Sequence, residues 1–271
     1  MLFFIVIVFA CGGLGLQCAR NYNVDSAAIL LAVAFGALLA ILTSKLRAAT
    51  PAAALTGGII TAELYLATPG LRTALWPLLA LLLLTLVGTH FGRARKRELG
   101  VAEGPKGRNA AQVAANLGPA VLASVAFDLG PDISHFGSFG IAMRLAVAAA
   151  LAEAAADTLS SEIGEVVGGE PRLITTLRRV PAGTDGAISL DGTIAGLTGA
   201  GVVAAGATLA FGGSPQQGAV VALAAVAGLF IDSLLGAVME RRGWLNNDAV
   251  NFLSSLSAAV LAAYFQLGRL H

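Results

Sequence analysis

The sequence predicts an all-α fold: a polytopic integral membrane helical bundle of about nine transmembrane helices, forming one domain over residues 1–271. Three observations carry that prediction. First, 56% of the residues are hydrophobic and 12% are charged, with a mean hydropathy of +0.79. A water-soluble domain has about 25% charged residues, so this chain lacks the polar surface to cover a globule in water. Second, apolar runs of span length recur from one end to the other. Third, lysine and arginine collect in alternate connections between those runs.

A helix needs about 20 apolar residues to cross the hydrocarbon core of a bilayer. Runs at 1–18, 26–43, 51–68, 71–91, 109–127, 138–157, 187–211, 216–239 and 247–267 meet or approach that length. The first lacks the basic start and the small-x-small cleavage site of a secretory signal, and reads as a retained span. It holds both cysteines, Cys11 and Cys18. They form no C-x-x-C pair and have no histidine near them, so they read as small apolar helix residues rather than disulfide or zinc ligands. Thr56-Gly57-Gly58 and Glu63 interrupt the third run, and Glu63 reads as a partnered or snorkelling acid. Gln112 and Asn116 interrupt the fifth. Arg144 lies within the sixth and is expected to pair with an acid on a neighbouring helix. The longest polar stretches, 92–109 and 162–186, read as loops rather than as a separate soluble module.

Orientation follows from the basic residues, which favour the cytoplasmic side. With the N-terminus inside, Lys45, Arg47, Arg93, Arg95, Lys96, Arg97, Lys106, Arg108, Arg172, Arg178, Arg179, Arg241 and Arg242 all fall inside. Only Arg20, Arg72 and Arg269 fall outside. The expected location is a bacterial-type inner membrane. The formal net charge of +1 gives no overall basic field, so no nucleic-acid partner is expected.

An ionised side chain at the bilayer centre costs about 2.5–3.5 kcal/mol on insertion scales, and such residues usually have a partner or a function. Glu153, Asp157, Glu162, Asp185, Asp191 and Asp232 lie in or at the ends of apolar runs, all toward the inferred cytoplasmic side. Glu153 and Asp157 are four apart and share a helical face, which Ser161 continues. Their mutual repulsion calls for a divalent metal or nearby arginines. Asp232 is followed by Ser233 and Gly236, and Asn246, Asn247 and Asn251 open the last run. Oxygen-rich sets of this kind suit magnesium, which takes carboxylates together with substrate phosphates. His90, His135 and His271 are too scattered for a zinc site.

Two further stretches point to a ligand. After Lys106 and Arg108, the amides Asn109, Gln112 and Asn116 fall along one helical face, which reads as ligand-lining. Gly183 and Gly186 flank Thr184 and Asp185 just before a helix, where free backbone N–H groups could face a phosphate. The later glycines, Gly192, Gly196 and Gly199, read as small residues for close helix packing. No G-x-x-x-x-G-K-[ST] sequence occurs, which excludes a P-loop kinase. No G-x-S-x-G elbow occurs either, which weakens an acyl-hydrolase reading.

Five ordered blocks carry a resemblance: Lys106-Gly-Arg-Asn-x-x-Gln-Val-x-x-Asn116; Asp157-Thr-x-x-Ser-Glu-Ile-Gly164; Pro171-Arg-Leu-Ile-Thr-Thr176 with Val180-Pro-x-Gly-Thr-Asp-Gly186; Asp232-Ser-x-x-Gly-Ala237; and Asn246-Asn-x-x-Val-Asn251. Together they resemble the membrane family that contains transmembrane protein 19 and the plant phytyl-phosphate kinase of vitamin E synthesis. Leu159 departs from the family pattern, where an aromatic residue is common, and leaves the polar positions intact.

The resemblance implies transfer of a phosphoryl group from a nucleoside triphosphate, CTP foremost, to a prenyl monophosphate of the phytyl, farnesyl or geranylgeranyl type, with Mg2+ as cofactor. Phosphoryl transfer asks a protein mainly for positioning and charge neutralisation. On this reading Asp157, Glu162, Asp232 and Asp185 are the catalytic candidates, and the first three hold metal. Lys106, Arg108, Asn109, Gln112, Asn116, Ser161, Arg172, Thr175, Arg178, Gly183, Thr184, Gly186, Ser233, Asn247 and Asn251 are the substrate- and nucleotide-binding candidates. The prenyl chain would enter sideways from the lipid, the membrane lipids being its partners. Two rival functions use similar residues: a CTP-dependent nucleotidyltransferase on a lipid phosphate, and a transporter or flippase of a phosphorylated lipid or anion. A non-catalytic scaffold would leave the buried charges without a use.

Overall fold

A computed structural model describes residues 1–21, 26–102, 104, 107–130 and 137–268. Ten α-helices account for almost all of it: α1 (Leu2–Asn21), α2 (Ser26–Lys45), α3 (Pro51–Ala67), α4 (Leu75–His90), α5 (Arg93–Leu99), α6 (Ala110–Leu129), α7 (Ser138–Val167), α8 (Leu190–Phe211), α9 (Pro215–Val238) and α10 (Asn247–Gly268). Each of the nine apolar runs forms a helix. Among the described residues, seven are long and apolar enough to span a membrane, and an eighth span is reached if α4 and α5 count as one, bent by 62°. The third run falls short of the expected nine. At 17 residues α3 covers roughly 25 Å at 1.5 Å per residue, less than a hydrocarbon core.

Local chemistry sets the helix ends. Thr50 caps α3, its hydroxyl accepting from the Ala53 N–H, with Pro51 as the first helical residue. Ser214 and Gln217 form a capping box on α9, again with proline at the start. Left-handed glycines close α5 at Gly100 and α8 at Gly212.

One continuous apolar core draws on every helix except α5. Its axis is α7, whose residues 145–156 are all buried and include eight alanines. Helix α8 lies close along it, as the small-residue reading expected. A Cβ on Gly192 would stand 2.6 Å from the Ser160 carbonyl oxygen, and one on Gly196 would stand 3.0 Å from that of Ala156. The interruption in the third run has a similar cause. Gly58 of α3 and Gly36 of α2 pack backbone to backbone, a Cβ on either meeting the other's carbonyl oxygen within 3 Å.

The two stretches expected to be loops are more ordered than that. Arg93–Leu99 folds as α5, turned back at Gly92. Helix α7 runs ten residues past its expected end, giving roughly 45 Å of helix, more than a bilayer core needs. Beyond it a two-stranded antiparallel ribbon, β1 (Arg172–Leu173) and β2 (Ala187–Ile188), ties the chain down before α8. The Arg144 guanidinium lies 5.8 Å from the centre of the Phe211 ring. Glu63 does not snorkel; it is fully buried.

Candidate active site

At one end of the bundle, α6, α7, α9, α10 and the connection after α7 enclose a cavity of about 370 Å³. That lies within the usual range for small-molecule sites. It forms where the start of α6, the second half of α7, the end of α9 and the start of α10 meet.

Helix α7 supplies most of the polar wall. Asp157, Ser161 and Glu165 follow at four-residue spacing on one face and all line the cavity. The Ser161 hydroxyl is turned back, donating to the Asp157 carbonyl at 2.9 Å. Opposite stands Asp232 on α9, half-buried, whose Oδ1 is buried with no hydrogen-bond partner among the described residues. Ser233 and Glu240 extend the α9 side. One turn deeper on α7, Glu153 is fully buried beneath the cavity and accepts a hydrogen bond from Ser255 of α10.

Arg108 faces these carboxylates from the start of α6. Its backbone is fixed first: its N–H donates to the Ala48 carbonyl at 3.0 Å, and its own carbonyl accepts from the Thr50 N–H at 2.9 Å. The guanidinium then reaches the Thr158 hydroxyl of α7 at 3.3 Å. Asn116 and Asn251 join α6 to α10 across the floor, the Asn251 amide donating to Asn116 Oδ1 at 3.1 Å.

The fourth wall is the glycine turn. Gly183 and Gly186 have φ of +78° and +73°, a region that favours glycine. Gly186 also packs hard on α9, since a Cβ there would lie 2.3 Å from the Ala237 nitrogen. The turn does not directly begin a helix, contrary to the sequence expectation. Strand β2 intervenes, and α8 is capped by Ser189. The Thr184 and Ala187 N–H groups bond within the turn, at 3.3 Å to Pro181 and 3.0 Å to Thr184. Those of Gly183, Asp185 and Gly186 make no backbone hydrogen bond among the described residues.

The cavity therefore gathers Asp157, Glu162, Asp185, Asp232, Arg108, Gln112, Asn116, Ser161, Gly183, Thr184, Gly186, Ser233, Asn247 and Asn251. It leaves out others. Asn109 is occupied as the cap of α6, accepting from the Ala111 and Gln112 N–H groups, while Gln112 Oε1 accepts from the Asn109 N–H. Arg172, Thr175 and Arg178 are exposed on the ribbon and its loop. The Arg172 guanidinium donates to the Leu177 carbonyl at 2.9 Å. Lys106 lies outside the described residues.

The metal set also needs correction. Among the described residues no three aspartate, glutamate, histidine or cysteine side chains converge to hold an ion. Glu162 borders the cavity, but its carboxylate is already committed. It takes the Lys96 ammonium on Oε2 and the Thr89 hydroxyl on Oε1, the latter at 2.9 Å. Magnesium commonly takes only one or two carboxylates plus substrate phosphates. Asp157 and Asp232 fit that smaller demand, and the unpartnered Asp232 oxygen is suited to it.

Three charged residues, Lys96, Glu165 and Glu240, stand at this end of the bundle without being among the sequence candidates. Lys96 reads in the sequence as one charge of a basic connection. Its role is invisible in one dimension, because α5 has to fold back before Lys96 can meet α7. Glu165 does carry a signal, standing eight residues after Asp157 on the same face. Glu240, next to a basic pair, looks like ordinary loop charge. With Glu165 and Glu240 counted, six carboxylates and one guanidinium line the cavity.

A sequence model of a family described as integral membrane protein DUF92 matches residues 34–259. The chain is 31% identical over 229 residues to the chloroplastic protein VTE6 of Arabidopsis thaliana, covering 83% of this chain and 67% of that one. It is 33% identical over 179 residues to a membrane protein of Synechocystis, covering 64% and 66%. To a membrane protein of Methanocaldococcus jannaschii it is 41% identical over 111 residues, covering 41% and 46%. The matches thus span between about half and two thirds of these relatives' own lengths. No solved structure matches.

Proposed function

This chain belongs to the DUF92 family of integral membrane proteins, and we propose that it is a prenyl monophosphate kinase working at the carboxylate-lined end of its bundle. The five sequence blocks that resemble the family of the plant phytyl-phosphate kinase, with the similarity to VTE6 over 83% of this chain, support the reaction class. The observation that carries the reading is the charge of the cavity. Six carboxylates and one arginine line it, and with Glu162 paired to Lys96 five carboxylates still face Arg108, so a bare triphosphate would be repelled. A nucleotide bringing divalent cations would be held.

Asp157 and Asp232 are the residues that would hold magnesium, which when bound neutralises phosphate charge and orients the phosphoryl group. An oxygen of the prenyl monophosphate attacks the γ-phosphorus of the nucleotide. The bond from that phosphorus to the β–γ bridging oxygen breaks, and the nucleoside diphosphate leaves with the bonding pair. The attacking phosphate is already anionic near neutral pH, so no strong general base is needed. Arg108 is placed to receive a phosphate oxygen. The amides of Gly183, Asp185 and Gly186 would contact the nucleotide phosphates from the turn. The prenyl chain would lie in the lipid beside α6 and α10. With the positive-inside bias of the connections, the cavity would face the cytoplasm.

The test is product analysis on purified protein in detergent with magnesium, labelled CTP or ATP, and a prenyl monophosphate. Prenyl diphosphate that disappears in Asp157→Asn establishes the reading. A CDP-lipid with release of pyrophosphate would reassign the cavity to nucleotidyl transfer. No product from folded protein with any nucleotide would overturn both.

A further inference from the structure

Helix α5 carries charge that the cavity does not use. Four of its seven residues are basic: Arg93, Arg95, Lys96 and Arg97. Lys96 alone is buried, against Glu162 of α7, and the three arginines are exposed. None of the three lines the described cavity wall. The Arg95 guanidinium pairs with Glu98 at 3.2 Å. Arg93 and Arg97 are four apart and so share one side of the helix. Their side chains make no ion pair or hydrogen bond among the described residues.

The fold fixes where that charge sits. The apolar α4 runs to His90, and α5 leaves its axis at 62°. Gly92 makes the corner with φ of +59°, packed so closely that a Cβ there would lie 2.5 Å from Val166 Cγ1 of α7. The corner is thus held twice, by Gly92 against α7 and by Lys96 on Glu162. A helix this charged cannot continue α4 through hydrocarbon, and the corner holds it against the bundle where α4 leaves the apolar layer. Phe91 at the corner is 42% exposed and Leu99 at the far end 38%. Exposed apolar residues beside exposed arginines suit a helix lying in the headgroup zone of a bilayer.

The partner that fits is an anionic lipid. Phospholipid phosphates stand at the depth where α4 ends, and headgroups of net negative charge attract basic residues close to a span. Arg93 and Arg97 offer two guanidinium groups from one side, each with the planar N–H fork that matches phosphate oxygens. Membrane topology by itself asks only that basic residues lie on one side of the bilayer. A plain loop would meet that demand, with no need of a packed corner or of a helix held at a fixed angle.

We propose that α5 is a docking surface for anionic phospholipid headgroups, with a lipid phosphate held between Arg93 and Arg97, on the membrane face at which the cavity lies. The surface is tied to the cavity at two points. Lys96 fastens α5 to Glu162, and Val101, just past the Gly100 cap of α5, lines the cavity. Lipid on α5 therefore steadies the part of the wall that Glu162 and Val101 form. The docking itself does not depend on the reaction assigned to the cavity.

The experiment places the full chain in nanodiscs of phosphatidylcholine, or of phosphatidylcholine and phosphatidylglycerol in equal parts, at low salt. Thermal unfolding is followed in each, and the lipids retained on the released protein are identified by native mass spectrometry. A ligand that binds only the folded state stabilises it by mass action. Phosphatidylglycerol is therefore expected to raise the unfolding temperature by roughly 5 °C and to be retained in preference. Arg93→Gln with Arg97→Gln should lose most of that rise and weaken retention about 30-fold, the share of two arginines at a membrane surface. Should the double variant not fold, Arg97→Gln alone should weaken retention about 5-fold. Arg241→Gln with Arg242→Gln, an exposed basic pair next to the cavity residue Glu240, should keep both effects. Equal unfolding in the two lipids with no preferential retention would overturn the proposal. An equal loss in the Arg241 and Arg242 variant would do the same, by showing a general effect of charge. A rise reproduced by inorganic phosphate in detergent would also overturn it, by assigning the arginines to a free anion.

Discussion

Lys96 and Glu162 form an ion pair between α5 and the extension of α7, with the lysine side chain 1% exposed and the glutamate 15%. The same ammonium donates to the Gly88 carbonyl at 2.8 Å, near the end of α4. One buried cation thus fastens the bend between α4 and α5 to the helix that carries Asp157.

Removing the cation should loosen this corner. Lys96→Met leaves the Glu162 carboxylate with Thr89 but without its counter-charge, and breaking a buried pair costs about 3–5 kcal/mol. The unfolding temperature of the single variant should fall clearly. The double variant Lys96→Met with Glu162→Leu should recover much of the loss. Equal stability of single variant and parent would show that the pair contributes nothing.

Arg108 is the one cation on the described cavity wall, and its backbone is held independently of its side chain by Ala48 and Thr50. Arg108→Gln should therefore fold normally. It should lower kcat/KM for the phosphorylated substrates by about 100-fold, the loss expected when a charged hydrogen bond to a developing anion is removed. Arg108→Lys should recover only part, because an ammonium lacks the planar fork. Unchanged steady-state kinetics in the glutamine variant would remove Arg108 from the site.

The glycines of α8 separate into two classes that differ in what surrounds them. Gly192 and Gly196 lie against the α7 backbone, while Gly201 and Gly206 have open space where a methyl group would stand, with nothing described within 4 Å. Gly192→Ala should lower stability by about 1–3 kcal/mol through overpacking. Gly201→Ala and Gly206→Ala should be neutral or slightly stabilising, as alanine favours helix by up to about 1 kcal/mol. Thermal unfolding of the variants in detergent measures the contrast directly.

The Asn116–Asn251 hydrogen bond joins α6 to α10 within the bundle. Interhelical hydrogen bonds in membranes average about 0.6 kcal/mol in double-mutant cycles. The coupling energy between Asn116→Ala and Asn251→Ala should therefore be small in stability. If the cavity binds substrate as proposed, each variant should depress turnover more than stability. A large stability coupling with unaltered turnover would make the pair structural.

What the sequence determined by itself follows from its one-dimensional patterns. A long apolar run is written contiguously in the chain, so nine of the ten helices were legible, including α3 with its Glu63, whereas the short basic α5 was not. The four-residue spacing of Asp157 and Ser161 fixed them on one face before any tertiary contact formed. The ordered polar blocks likewise pointed to most of the cavity wall.

Only the tertiary structure decided which polar groups are committed to each other. Asn109 is consumed by a helix cap, Glu162 by Lys96 and Thr89, and Arg172 by the Leu177 carbonyl, so residues equal in sequence are unequal in the fold. The meeting of Glu63 with Ser124 and Asp128, and of Gln17 with Asp128, joins positions far apart along the chain. The reason is physical. Helix periodicity is written locally in the chain, whereas hydrogen bonds and ion pairs between helices depend on how far each helix extends and which face it turns to its neighbours.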